Sequence, residues 1–204
     1  MGEHLKYVKE FISHFSRFPL FSFSSAKLFF SFHGSNEVYA KKFISNMLKD
    51  GRLYRITKGY YSFNKSIFVV GLAYKPYYYG LEYALTYHGL WNQQANITVL
   101  TTQKVREGVR SAFGINYVLK RIPQRLFFGF RSINVEAKYN VHISDVEKTF
   151  LDMVYFDRYI GADTMERLAE RMDLQKVSKY AKLYGEDFSE KVASIIKGGR
   201  IAMR

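Results

Sequence analysis

Residues 35–63 read SNEVYAKKFISNMLKDGRLYRITKGYYSF. Ala40, Phe43, Ile44, Met47 and Leu48 recur at helical spacing and predict one buried stripe. Tyr39, Lys42, Asn46 and Lys49 fall on the opposite face, flanked by Lys41 and Ser45. Ser35 or Asn36 suits the N-cap, and Glu37 suits the positive end of the helix. Gly51 follows the last periodic residue, where a left-handed cap is expected. Residues 53–56 then read as a strand, 57–59 as a turn and 60–63 as a returning strand. A helix followed by a basic hairpin predicts a winged helix. A major groove has room for such a helix, where Lys42 and Asn46 can reach base edges. The hairpin would lay Arg52, Arg55 and Lys58 along phosphates. The expected DNA-contacting set is therefore Asn36, Tyr39, Lys41, Lys42, Ser45, Asn46, Lys49, Arg52, Arg55 and Lys58. A solvated helix beside a solvated hairpin would carry the same charges. The order of helix, glycine cap and basic hairpin favours DNA.

The residues upstream supply the rest of such a domain. Leu5, Val8, Phe11, Ile12 and Phe15 form the apolar stripe of a first helix that Pro19 ends. Ser24 and Ser25 precede a short second helix over 26–32, and Gly34 closes it. The many phenylalanines fall at helical spacing and read as core, although a membrane surface would also take aromatic residues.

The chain has 204 residues and a formal net charge of +13. Residues 1–75 hold 12 Lys/Arg against 4 Asp/Glu, so +8 of that total falls beside the proposed reader. A basic surface favours nucleic acid or anionic membrane without choosing between them. There are no cysteines, which excludes disulfides and cysteine-ligated metal. No apolar run approaches the ~20 residues of a membrane span. No apolar signal core follows Lys6, Lys9 and Glu10, so a cytoplasmic protein without a membrane partner is expected.

Residues 64–76 read as a junction containing a short apolar strand at 67–72. The expected division is 1–75 and 76–204, an α+β chain with a mixed α/β C-terminal domain. In that domain 81–88 predicts a helix stopped by Gly89. Strands are expected at 96–101, 117–122, 126–130 and 133–141. Ser144 with Glu147 reads as a capping box opening a helix to about residue 156. Helices are expected over 161–172, 174–184 and 188–197, with 198–204 frayed.

Glu136 and Lys138 imitate half of a metal-dependent nuclease motif, but no aspartate lies between Asp50 and Asp145, so they read as outward-facing strand residues. Gly34-Ser35 is not followed by the paired aspartates of a nucleotidyltransferase. His4, His14, His33, His88 and His142 lack metal-ligand spacing, and His88 reads as a helix-end residue. Tyr74, Tyr77, Tyr78 and Tyr79 suit core or interface packing better than base stacking. No catalytic residue, metal or cofactor is expected.

Beyond the helix and hairpin come PYYYGLEYALTYHGL at 76–90, LTT at 100–102, LFFGF at 126–130 and VHISDVEKTFLDMVY at 141–155. Together they resemble the AbiEi antitoxins of bacterial and archaeal abortive-infection systems, over nearly the whole chain. The blocks at 78–90 and 147–155 are the specific part. The resemblance implies an antitoxin of a type IV toxin–antitoxin system. Such a protein binds inverted repeats in its own promoter through the winged helix and represses transcription. Its C-terminal domain counteracts a nucleotidyltransferase toxin, without implying a stable complex. The alternative is a stand-alone winged-helix regulator whose C-terminal domain dimerises or senses a ligand.

Overall fold

The computed structural model describes residues 6–201. Leu5 of the expected first helix, His4, and the last three residues of the tail lie outside that range. The chain is mixed α and β and parts into two compact units. The first comprises residues 1–73 with 111–115, and the second 74–110 with 116–204. The expected division at 75/76 differs by placing 74–75 in the first domain and 111–115 in the second. In the first unit the ring of Phe113 lies 5.9 Å from that of Tyr54.

In the first unit α1 (Val8–Phe15), β1 (Phe21–Ser22), α2 (Phe23–Phe32), α3 (Glu37–Lys49), β2 (Tyr54–Thr57) and β3 (Tyr60–Ser62) follow in order. Each helix turns its periodic apolar residues inward. Phe11, Phe15, Phe21, Ala26, Phe30, Ala40, Phe43, Ile44 and Met47 form one core with Leu53 and Tyr61. Phe11 is its hub, 5.3 Å centroid to centroid from Phe30 and 4.8 Å from Phe43. Such aromatic pairs add about 0.5–1.5 kcal/mol each beyond burial.

Two local features differ from expectation. Helix α2 starts earlier, because Ser22 rather than Ser24 or Ser25 caps it, accepting from the Ser25 N–H at 3.0 Å. The two-residue β1 pairs antiparallel with β3 and completes a sheet of order β1-β3-β2. The β2–β3 register shifts between Arg55 and Thr57, a bulge that increases twist.

Residues 67–72 are not a strand. They belong to a 3-10 helix, Ile67–Tyr74, since an unbroken apolar run suits a buried helical turn as well as a buried strand. The second unit continues with β4 (Tyr77–Tyr79), α4 (Leu81–Tyr87), β5 (Ile97–Thr101), β6 (Gly108–Ala112), β7 (Ile115–Arg121), β8 (Phe130–Val135) and β9 (Tyr139–Ser144). Helices α5 (Val146–Tyr155), α6 (Ala162–Arg171), α7 (Leu174–Ala181) and α8 (Glu186–Ile201) complete it. The sheet order is β6-β7-β5-β4-β9-β8. Strand β4 runs antiparallel to β5 and parallel to β9, while β5 and β7 are parallel.

Three further expectations are corrected. Residues 124–126 form a 3-10 turn and β8 begins only at Phe130, so no strand spans 126–130. The expected strand over 133–141 is the hairpin β8–β9. Glu136 and Ala137 make its turn at φ 53° and 51°, so Glu136 and Lys138 lie on a turn rather than a strand. Gly198 lies inside α8, which continues through Ile201.

Helix α5 is the axis of this unit. Residues 147–154 are all buried, and α5 packs against α4, α6, α7 and α8. Tyr78, Leu100, Phe150, Leu151, Leu168, Val177 and Val192 belong to its core. Tyr74, Tyr77, Tyr78 and Tyr79 are all buried. Among the described residues no helix is long and apolar enough to cross a membrane.

Candidate nucleic-acid interface

Helix α3 begins where Asn36, in extended backbone, accepts a hydrogen bond from the Tyr39 N–H at 3.0 Å. It ends where the Arg52 N–H bonds the Met47 carbonyl and Gly51 takes φ 66°, a conformation glycine adopts without a side-chain clash. Ala40, Phe43, Ile44 and Met47 face the core. Val38, Lys41, Lys42, Ser45 and Lys49 are exposed, as are Arg52, Arg55 and Lys58 on the segment and hairpin that follow. Six cations thus share one helix and the next hairpin with two carboxylates, Glu37 and Asp50.

Glu37 is spoken for. Its carboxylate meets Lys41 at 2.7 Å and Lys27 at 3.4 Å. The Lys41 hydrogen bond, with Lys27 adding to it, holds the carboxyl below the usual range. Lys41 is therefore partly neutralised within its own helix, whereas Lys49, Arg52, Arg55 and Lys58 form no ion pair among the described residues.

Tyr39 departs from its expected solvent-facing place. Its ring packs 5.3 Å from Phe30, and its hydroxyl donates to the Lys6 carbonyl at 2.9 Å. Burial raises its pKa, and the Lys6 carbonyl works against that rise. It lies one position before Ala40, at the edge of the apolar stripe, where a long aromatic side chain reaches the core. Asn46 is half-buried and Asn36 has its side-chain oxygen engaged in capping. Two residues of this region were not anticipated. Val38, 72% exposed, is the apolar member of the outer face of α3. Lys65 sits 5.0 Å from the Tyr54 ring. Lys65 was legible as the next cation after the hairpin; Val38 carried no signal.

The second unit contains a polar cluster of another kind. Lys148 and Asp152 lie one turn apart on α5, both 0% exposed, with Nζ 2.5 Å from Oδ1. Tyr78 donates to Asp152 at 2.7 Å and Tyr184 at 2.8 Å. The Lys148 ammonium also faces the rings of Phe128 and Tyr184 at 4.8 and 4.9 Å, which favours a cation. Burial pushes the Asp152 carboxyl up and the Lys148 ammonium down, while their mutual attraction works against both shifts. With both charged side chains fully buried, the cluster joins α5 to β4 and to the α7–α8 connection.

The expected capping box is corrected beside it. Asp145, not Ser144, caps α5, accepting from the Lys148 N–H at 2.8 Å. Ser144 is the last residue of β9, with its hydroxyl 2.7 Å from that of Thr149. Glu147 does not reach back. It accepts from the Asp173 N–H at 3.0 Å and from Lys176 at 2.8 Å. Burial opposes ionisation of Glu147, but these bonds prevail and hold its pKa below the ordinary value.

His88 follows α4 as its C-cap, and its Nε2–H donates to the Ser144 carbonyl at 2.8 Å. Burial lowers its pKa, assisted by Arg131 and Arg171. No family model and no curated protein matches the chain.

Proposed function

We propose that the chain is a DNA-binding autorepressor and antitoxin. Residues 1–75 act as a winged helix on inverted repeats of its own promoter. Residues 76–204 counteract a nucleotidyltransferase toxin of the same type IV system, in the cytoplasm and without catalysis. The observation that carries the DNA reading is the succession of α3 and the β2–β3 hairpin, with Lys42, Ser45, Lys49, Arg52, Arg55 and Lys58 all on exposed surface. The element order and the β1-β3-β2 sheet support a winged helix with α3 as its reading helix. Lys42 and Asn46 read base edges in this scheme, Val38 offers an apolar contact of the kind a thymine methyl accepts, and the hairpin cations hold phosphates. The antitoxin half rests on the resemblance of residues 76–90 and 141–155 to AbiEi proteins.

One experiment tests both halves. The full chain and its Lys42→Ala/Asn46→Ala variant are each co-expressed with the neighbouring nucleotidyltransferase from a promoter the protein does not repress. Binding to the native promoter fragment is measured alongside. Both proteins should rescue growth, and only the parent should retain the promoter fragment. Tight promoter binding by the variant would remove α3 from the reading. Failure of the well-expressed parent to rescue growth would remove the antitoxin role and leave a regulator.

A further inference from the structure

The second unit carries an open groove of about 690 Å³ where the end of α5, the segment 157–161, α6 and α8 meet. That volume lies within the ~300–1,000 Å³ typical of small-molecule sites. Val154, Ile160, Met165 and Ile195 give it apolar walls, and Tyr159, 82% exposed, stands at its mouth. A thioether among branched aliphatic side chains is a wall that adapts to its occupant.

Four charged residues line it: Asp157, Arg158, Glu166 and Lys191. Three are already engaged. Lys191 pairs with Asp157 at 2.9 Å, and the Arg158 Nε–H donates to Glu82 at 2.5 Å. Glu166 alone has no ion pair among the described residues. It sits on α6 four residues after Ala162 and next to Met165, so it shares the groove-facing side of that helix. The sequence around the groove is also far less basic than residues 1–75, which carry +8. Residues 157–204 hold 10 Lys/Arg against 8 Asp/Glu, so only +2 of the net +13 lies there.

We propose that this groove binds a small hydrophobic cation, its apolar body against Val154, Ile160, Met165 and Ile195 and its charge between the Glu166 carboxylate and the Tyr159 ring. A carboxylate and an aromatic face are the two groups that together select an organic cation over a neutral or anionic molecule of the same shape. This site does not depend on the DNA or antitoxin reading.

Tetraphenylphosphonium and tetraphenylborate are near-identical in shape and opposite in charge, so they isolate the charge term. Each is titrated into the full chain while the methyl resonances of Met165 and Ile195 are followed. The phosphonium should produce saturable shifts at both methyls and bind at least tenfold more tightly than the borate at this site. Glu166→Gln should bring the two within about threefold, the loss expected for one charge-assisted contact. Glu170→Gln, one turn along the same helix and outside the groove lining, should leave the preference unchanged. The proposal is overturned if the borate shifts these methyls as strongly as the phosphonium. It is equally overturned if Glu170→Gln acts like Glu166→Gln, or if the methyls respond only to protein concentration, which would make the groove a contact between copies of the chain.

Discussion

Removing Arg55 and Lys58 together should flatten the salt dependence of promoter binding by a calculable amount. Both side chains are exposed on the β2–β3 hairpin, and neither contributes to the core of its unit. Setting aside Lys41, which pairs with Glu37, the exposed cations of α3 and of the segment and hairpin after it are Lys42, Lys49, Arg52, Arg55 and Lys58. One phosphate each gives a slope of log K against log salt of about −4.5, and two fewer give about −2.7. Between 50 and 200 mM salt the parent should lose roughly 500-fold in affinity and Arg55→Ala/Lys58→Ala roughly 40-fold. The loss at fixed salt should be similar on the native promoter and on a scrambled duplex, because phosphate contacts carry no sequence information. Fluorescence anisotropy with both duplexes at four salt concentrations reads both quantities. A variant with an unchanged melting temperature and an unchanged slope would show that the hairpin does not touch the backbone of the duplex.

Two predictions concern the second unit. Asp152→Leu leaves the Lys148 ammonium buried without its counter-ion, which should cost about 3–5 kcal/mol and lower the melting temperature by roughly 6–20 °C. The double variant Lys148→Met/Asp152→Leu should recover more than half of that loss; a single variant within about 1 kcal/mol of the parent would refute the assignment. His88 should make stability fall on mild acidification. Its folded pKa lies below the ordinary 6.5, so the unfolded chain takes up the proton first. The His88 contribution is complete above pH 6.5 and declines as pH falls toward the folded value. Melts at pH 7.5 and 5.5 should differ less in His88→Gln than in the parent, and an equal difference in both would assign the effect to other groups.

The course of α3 was legible because its signals agree. The apolar positions 40, 43, 44 and 47 repeat at helical spacing, Asn36 is a strong cap, and Gly51 and Gly59 mark the cap and the turn. Elsewhere local signals competed. Strand β1 is two residues long, too short for any alternation, and exists because β3 lies beside it. Strand β6 carries Gly108, Val109, Arg110, Ser111 and Ala112, with no apolar alternation, and it is an edge strand. The run at 67–72 is apolar throughout, a composition shared by buried strands and buried helical turns.

At Ser144 and Asp145 two capping residues stand side by side. The choice between them was settled by other partners: Thr149, five residues on, takes up the Ser144 hydroxyl, while Asp173 and Lys176, distant in sequence, take up Glu147. For the expected interface, the sequence placed the cations correctly on the surface but not the inward lean of Tyr39. The groove was illegible. Its lining is drawn from three helices and a connecting segment, and no stretch of sequence contains more than a part of it.

The position of β4 sets a timetable for synthesis. Every residue of the β1-β3-β2 sheet has been translated once Ser62 is added. Strand β4, in contrast, lies between β5 and β9, and its partner across the second boundary is Ile143. The 81 residues between Ser62 and Ile143 take about 4–16 s to make at ordinary elongation rates. For the last 64 of those residues the nascent chain carries Tyr77, Tyr78 and Tyr79, each at most 1% exposed in the finished protein, without the strand that covers one edge of them. The growing polypeptide therefore offers an aromatic strand edge to chaperones, or to another nascent chain, for seconds after its basic N-terminal sheet has all of its residues.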